Sequence, residues 1–169
     1  MTSPFDPQTV LAVLVRHGVD FVVIGGFAAV AQGSPFPTAD VDVTPASTDD
    51  NLTRLSAALT DLDARVRAEG VDGGLPFRHD AASLASSGVW NLTTRAGDLD
   101  ISFVPTGTQG YPDLVRDALT VTVGGVEIRL ASLRDVVRSK EAAGRDKDRR
   151  VLPLLRELVE RQRRAAQGG

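Results

Sequence analysis

Residues 21–43 read FVVIGGFAAVAQGSPFPTADVDV, and the fold turns on this stretch. Phe21-Val22-Val23-Ile24 is a short apolar run bounded by turn residues, which reads as a buried strand. Gly25-Gly26 follows at once, and Phe27 to Gln32 reads as a short helix. Gly33-Ser34-Pro35-Phe36-Pro37 is a loop, because two prolines and a glycine punctuate it. Asp40-Val41-Asp42-Val43 then alternates polar and apolar, the pattern of a half-buried strand. Residues two apart on a strand share a face. Asp40 and Asp42 therefore present two carboxylates to one side, while Val41 and Val43 point the other way into a core. Two bare carboxylates this close repel, and one tends to hold a proton. A divalent cation removes the conflict, so the pair reads as a magnesium clamp.

Working outward, Asp6-Pro7 is a helix start, a capping carboxylate followed by proline at the first helical position. Val10, Leu11, Val13, Leu14 and Val15 supply its apolar face, and Gly18 stops it. Thr48-Asp49-Asp50 caps a second helix carrying Leu52, Leu55, Leu59 and Leu62. Residues 69–80 are glycine-rich and read as turns. Val89 to Thr94 and Leu99 to Val104 read as two strands joined around Ala96-Gly97-Asp98. Tyr111-Pro112 opens a short helix. Val121 to Val123 and Val126 to Leu130 form a second hairpin around Gly124-Gly125. Ser132 caps a helix with Asp135 three residues on. A last helix runs from about Asp146, with Pro153 as a kink or a start. Strands and helices mix without strict alternation, which predicts an α+β (mixed α/β) fold, one mixed sheet flanked by helices. The expectation is a single domain over 1–169 with a basic C-terminal helical segment at 133–164.

Asp100 repeats the acidic pattern, flanked by apolar Leu99 and Ile101 on a strand that otherwise reads as core. If that strand lies beside the first, Asp100 joins Asp40 and Asp42. Three carboxylates around one or two metals suit in-line phosphoryl transfer, with Asp100 as the natural general base. The Gly25-Gly26 turn adds free backbone N–H groups at a helix start and lets a phosphate approach the main chain closely. It is neither a P-loop nor a G-x-G-x-x-G turn.

Composition narrows the chemistry. The 169 residues contain no cysteine, which excludes thiolate sites and cysteine nucleophiles. Only His17 and His79 offer imidazole, so a multi-histidine zinc site is not expected. A metal would be held by oxygen, favouring Mg²⁺ or Mn²⁺. No run approaches the ~20 apolar residues that span a membrane, and the first residues lack signal-peptide features, so the expectation is a cytoplasmic protein. The formal net charge is -3, yet residues 133–164 carry eleven Lys and Arg against six Asp and Glu. Such a segment is either a solvated helical face or a surface that meets phosphates. His17 reads as a dipole partner at a helix end, His79 as surface and Trp90 as core.

Taken together, Gly25-Gly26, Thr38-x-Asp40-x-Asp42, Gly97-x-Leu99-Asp100 and Ser139-Lys140-x-Ala142-Ala143-Gly144-Arg145-x-Lys147-Asp148 resemble the polymerase-beta-type nucleotidyltransferase superfamily. More narrowly, the chain resembles the minimal AbiEii-like nucleotidyltransferases over roughly residues 7 to 158. These include toxins of bacterial toxin–antitoxin pairs, notably mycobacterial ones that modify tRNA. The resemblance implies a nucleotidyltransferase fold, with Asp40, Asp42 and Asp100 on the metal and Lys140 on the nucleotide phosphates. It implies Asp148 as a further polar site residue, although Val151 and Leu152 stand near where some relatives carry a second acid. It implies an NTP as one substrate (CTP is one candidate), a tRNA 3′ end as acceptor and an antitoxin protein as partner. Arg145 offers a second phosphate contact, and Asp148 an ion pair to orient Lys140 or Arg145. Thr38, next to the acidic strand, is a candidate regulatory phosphosite, since a phosphate there would oppose triphosphate binding. Two other readings compete. One keeps the chemistry but modifies a small molecule such as an aminoglycoside or lincosamide, which commonly needs a pocket from an added domain. The other is a non-catalytic nucleotide-binding module.

Overall fold

A computed structural model describes residues 4–169. In chain order the elements are α1 Pro7–Arg16, β1 Phe21–Ile24, α2 Gly25–Val30, β2 Asp40–Pro45, α3 Asp49–Asp61, β3 Arg65–Ala68, β4 Val71–Leu75 and α4 Ala81–Ala85. Then come β5 Val89–Thr94, β6 Gly97–Ser102, α5 Tyr111–Leu114, β7 Leu119–Val123, β8 Val126–Leu130, α6 Leu133–Ala143 and α7 Asp146–Gln167. The strands form one mixed sheet in the order β4-β3-β5-β6-β2-β1-β8-β7. The helices form two groups: α1, α3 and α4 contact one another in sequence, and α2, α6 and α7 form the second. This is the mixed sheet flanked by helices that the patterning predicts. Among the described residues, no helix is long and apolar enough to cross a membrane.

Local chemistry sets the boundaries. The Asp6 carboxylate accepts from the Thr9 N–H, Thr48 Oγ1 from Asn51 N–H and Ser132 Oγ from Asp135 N–H, so each satisfies an otherwise orphaned donor at a helix start. Alternation places Val41, Val43, Leu99 and Ile101 fully in the core, with Leu52, Leu55 and Leu59 of α3 in the same cluster.

Three expectations need correction. Residues 69–80 are not only turns: Val71–Leu75 pairs antiparallel with β3. This strand is mostly exposed and lies at the sheet edge, so one partner defines it and no hydrophobic alternation marks it. Asp98 belongs to β6 and not to the hairpin turn, because Gly97 at φ +109° pairs with Thr94 and closes the turn over Arg95-Ala96. His79 is not simply surface. Its ring lies 4.8 Å from that of Phe77 and its Nδ1 is 2.7 Å from Ser56 Oγ, and burial holds its pKa below the usual value. Trp90 also stacks on Phe77, ring centroids 5.6 Å apart, and donates from Nε1 to the Leu84 carbonyl.

Candidate active site

The acids meet because β2 and β6 are parallel neighbours. Their register sets Asp40 opposite Asp98 and Asp42 opposite Asp100. Asp40, Asp42 and Asp100 each offer a carboxylate oxygen to a group whose atoms all lie within 4.8 Å of one another. All three are half-buried, and the valines between them on β2 are fully buried. Three hard oxygen donors at this spacing could hold a divalent cation such as Mg²⁺ or Mn²⁺.

Electrostatics supports that fit. Burial pushes the Asp42 carboxyl up to about 7, the Asp40 and Asp100 charges add to the shift, and the Lys140 ammonium works against it. Asp100 is pushed up to about 6, again by burial first; Arg67 pulls it down while a hydrogen bond with Asp40 and the Asp40 charge raise it. A dication held between these oxygens would favour the ionised forms of Asp42 and Asp100.

Gly25 and Gly26 stand against these acids. Gly25 has φ +66°, and a Cβ there would come within 3.1 Å of Asp42 Cγ and collide with its Oδ2. A Cβ on Gly26 would lie 3.1 Å from Thr38 Oγ1. The glycines thus leave room for the Asp42 carboxylate and the Thr38 side chain as well as exposing main chain to the cleft. The Thr38 hydroxyl lies 3.2 Å from both the carbonyl and Oδ1 of Asp40.

Across the cleft, α6 ends at Gly144, whose left-handed conformation (φ +62°) returns an N–H to the Lys140 carbonyl. That turn folds α7 back on α6 and brings Asp148 to Lys140. Asp148 is fully buried; its Oδ1 accepts from Lys140 Nζ at 3.2 Å and its Oδ2 from Arg145 Nε at 2.7 Å. Burial alone would raise its pKa, but the hydrogen bonds from Arg145 and Lys140 outweigh it and hold the carboxyl below the ordinary value. Lys140 pairs with Asp148, and its charge also acts on Asp42. Arg145 remains more than half exposed beyond its ion pair.

Gly25, Gly26, Thr38, the three acids, Lys140, Arg145 and Asp148 all line one cleft of ≈ 680 Å³. That volume suits a small-molecule ligand such as a nucleotide. Sequence reasoning missed Arg67, which reaches across β5 from β3. It donates from Nη2 to Asp100 Oδ1, and its Nη1 lies 3.1 Å from Asp98 Oδ2. The alternation of Arg65-Val66-Arg67 was the available signal for a strand with one cationic face. It gave no indication of which acids that face would meet.

No protein-family model matches the chain, and no curated protein sequence matches it. Solved structures do. The chain is similar to the antibiotic-resistance factor ANT(2″)-Ia, with a TM-score of 0.54 and 16% identity over 96% of this chain and 91% of that one. It is also similar to a candidate nucleotidyltransferase of Thermotoga maritima, with a TM-score of 0.54 and 18% identity over 89% and 94%. At these identities the likeness establishes the fold, which is the nucleotidyltransferase fold.

Proposed function

We propose that this chain is a metal-dependent nucleotidyltransferase, moving the monophosphate of an NTP onto an acceptor hydroxyl. One observation carries the reading: the parallel register of β2 and β6 gathers Asp40, Asp42 and Asp100 in a cleft that also holds Lys140. In this reading the three acids hold Mg²⁺ or Mn²⁺, which neutralises triphosphate charge and assists attack at the α-phosphorus. Asp100 takes the proton of the acceptor hydroxyl. The bond from the acceptor oxygen to the α-phosphorus forms, the α–β bridge breaks, and pyrophosphate leaves. Lys140 contacts the phosphates as a point charge, steadied by Asp148, and Arg145 adds a second contact. Gly25 and Gly26 let the triphosphate lie close to the main chain. Protein, Mg²⁺ and each labelled NTP, with Asp40→Ala as control, test the chemistry. No labelled product from any nucleotide with either RNA or small-molecule acceptors would refute it.

For the acceptor, our first reading is the 3′ end of tRNA, as an AbiEii-like toxin held in check by an antitoxin protein, with CTP a candidate donor. Its support is α7, which presents exposed Arg149, Arg150, Arg161, Arg163 and Arg164 beyond the cleft. Such a face suits a polyanion, and its binding should weaken steeply with salt. Growth arrest on induction of the wild type but not of Asp40→Ala, with nucleotides added to tRNA ends on sequencing, is the expected result. Unchanged tRNA ends would remove the RNA reading. Thr38 is a proposed phosphosite in the same system, since a phosphate beside Asp40 would repel a triphosphate. An unmodified intact mass after co-expression with the neighbouring gene would dismiss it.

A second reading has its own support. The likeness to ANT(2″)-Ia spans 91% of that antibiotic-resistance factor, so the added domain expected for a small-molecule acceptor is not a general need. Resistance to an aminoglycoside on expression, without growth arrest, would favour it.

A further inference from the structure

The facing registers of β2 and β6 create a two-by-two grid of carboxylates on one face: Asp40 beside Asp98, and Asp42 beside Asp100. Strand geometry alone would offer all four to a cation. Only Asp40, Asp42 and Asp100 converge among the described residues. Asp98 instead lies against Arg67, with its Oδ2 3.1 Å from Nη1, while Nη2 of the same guanidinium donates to Asp100. Nη1 also donates to the Leu92 carbonyl at 3.3 Å, which anchors the fork to the middle strand between its own and the acids'. The Arg67 side chain is about two-thirds buried, so its geometry is restricted. Arginine's planar fork spans two carboxylates at once, which an ammonium cannot do.

We infer that Arg67 is a positioning residue that selects three of the four carboxylates: it fixes Asp100 toward the cluster and ties Asp98 outside it. This rests on the nucleotidyltransferase reading above and adds a residue that none of the motifs contains. The consequence is that Arg67 limits metal affinity in order to hold the geometry. It competes with a dication for Asp100 and removes the charge of Asp98 from the site. Its loss should bind metal more tightly and turn over more slowly, a pair of opposite effects that a merely structural residue does not produce.

The test titrates Mn²⁺ alone into the full chain, followed by electron paramagnetic resonance, alongside steady-state transfer assays. Arg67→Ala should bind Mn²⁺ about two- to fivefold tighter, the scale of one partly screened ion pair. Its kcat should fall tenfold or more, with KM for the NTP within about twofold, because the change falls on the acids and leaves Lys140 and Arg145 in place. Arg67→Lys should recover part of the kcat. The double variant Arg67→Ala/Asp98→Asn should lose most of the gain in Mn²⁺ affinity, since the freed carboxylate is gone. Unchanged Mn²⁺ affinity and kcat in Arg67→Ala overturn the inference, as does a parallel loss of both. A double variant that binds as tightly as Arg67→Ala overturns the exclusion of Asp98. If Arg67→Ala does not fold, Arg67→Gln carries the same comparisons. A wild type that binds Mn²⁺ yet transfers no nucleotide refutes the parent reading alone, because the Mn²⁺ series still reports on the hold of Arg67 over Asp100.

Discussion

Replacing Asp42 by asparagine should make the metal-free protein more stable at neutral pH while abolishing its response to magnesium. Burial and two neighbouring acids raise the Asp42 carboxyl from an ordinary 3.8 to about 7. The folded chain therefore holds this proton more tightly than the unfolded chain does. The associated stability is fully present below about pH 4 and is lost as pH rises through 7. At ~1.4 kcal/mol per pH unit, the ionised form costs the folded state ~4 kcal/mol at pH 8, an upper bound because neighbouring side chains relax. Between pH 5.5 and 8 the wild type in a chelator should lose ~2 kcal/mol that Asp42→Asn retains, or ~4–8 °C in Tm for a chain of this size. Magnesium should restore the wild type at pH 8 and leave the variant unmoved. Thermal denaturation of both proteins at the two pH values, with chelator and with magnesium, measures all four cases. If Asp42→Asn is the less stable protein at pH 8 in chelator, the electrostatic account of the site is wrong.

The same shifts predict the pH dependence of metal affinity. Mn²⁺ binding should weaken progressively as pH falls through 7 and 6, where Asp42 and then Asp100 retain protons, and a pH-independent affinity over 5.5–8.5 would contradict it. Gly25→Ala forces a positive φ on alanine and drives its Cβ into the Asp42 carboxylate; a destabilisation of ~1–3 kcal/mol by urea denaturation, with loss of transfer activity, is expected. Asp148→Ala leaves Lys140 without its carboxylate partner inside the cleft wall, which should cost ~3 kcal/mol and raise KM for the NTP more than it lowers kcat. Lys140→Ala should likewise raise KM for the NTP about tenfold or more, read from initial rates at saturating acceptor.

Much of this architecture was legible from short-range chemistry. The caps at Asp6, Thr48 and Ser132, the alternation of Asp40 to Val43 and the helix stop at Gly18 act over a few residues, so each can be read where it stands. Asp40 and Asp42 share a face by strand geometry alone, whatever lies beside them. Residues 71–75 escaped because an edge strand needs only one partner and carries no buried stripe. Tertiary structure decided which strands became neighbours. Asp42 and Asp100 are 58 positions apart and meet only because β2 pairs with β6 in parallel, while Arg67 reaches them from β3 across β5. Periodicity specifies a side chain's face, but pairing is fixed by the burial of the whole sheet at once. The identity of the fourth acid, and the cation that holds it aside, therefore became visible only with the register in place.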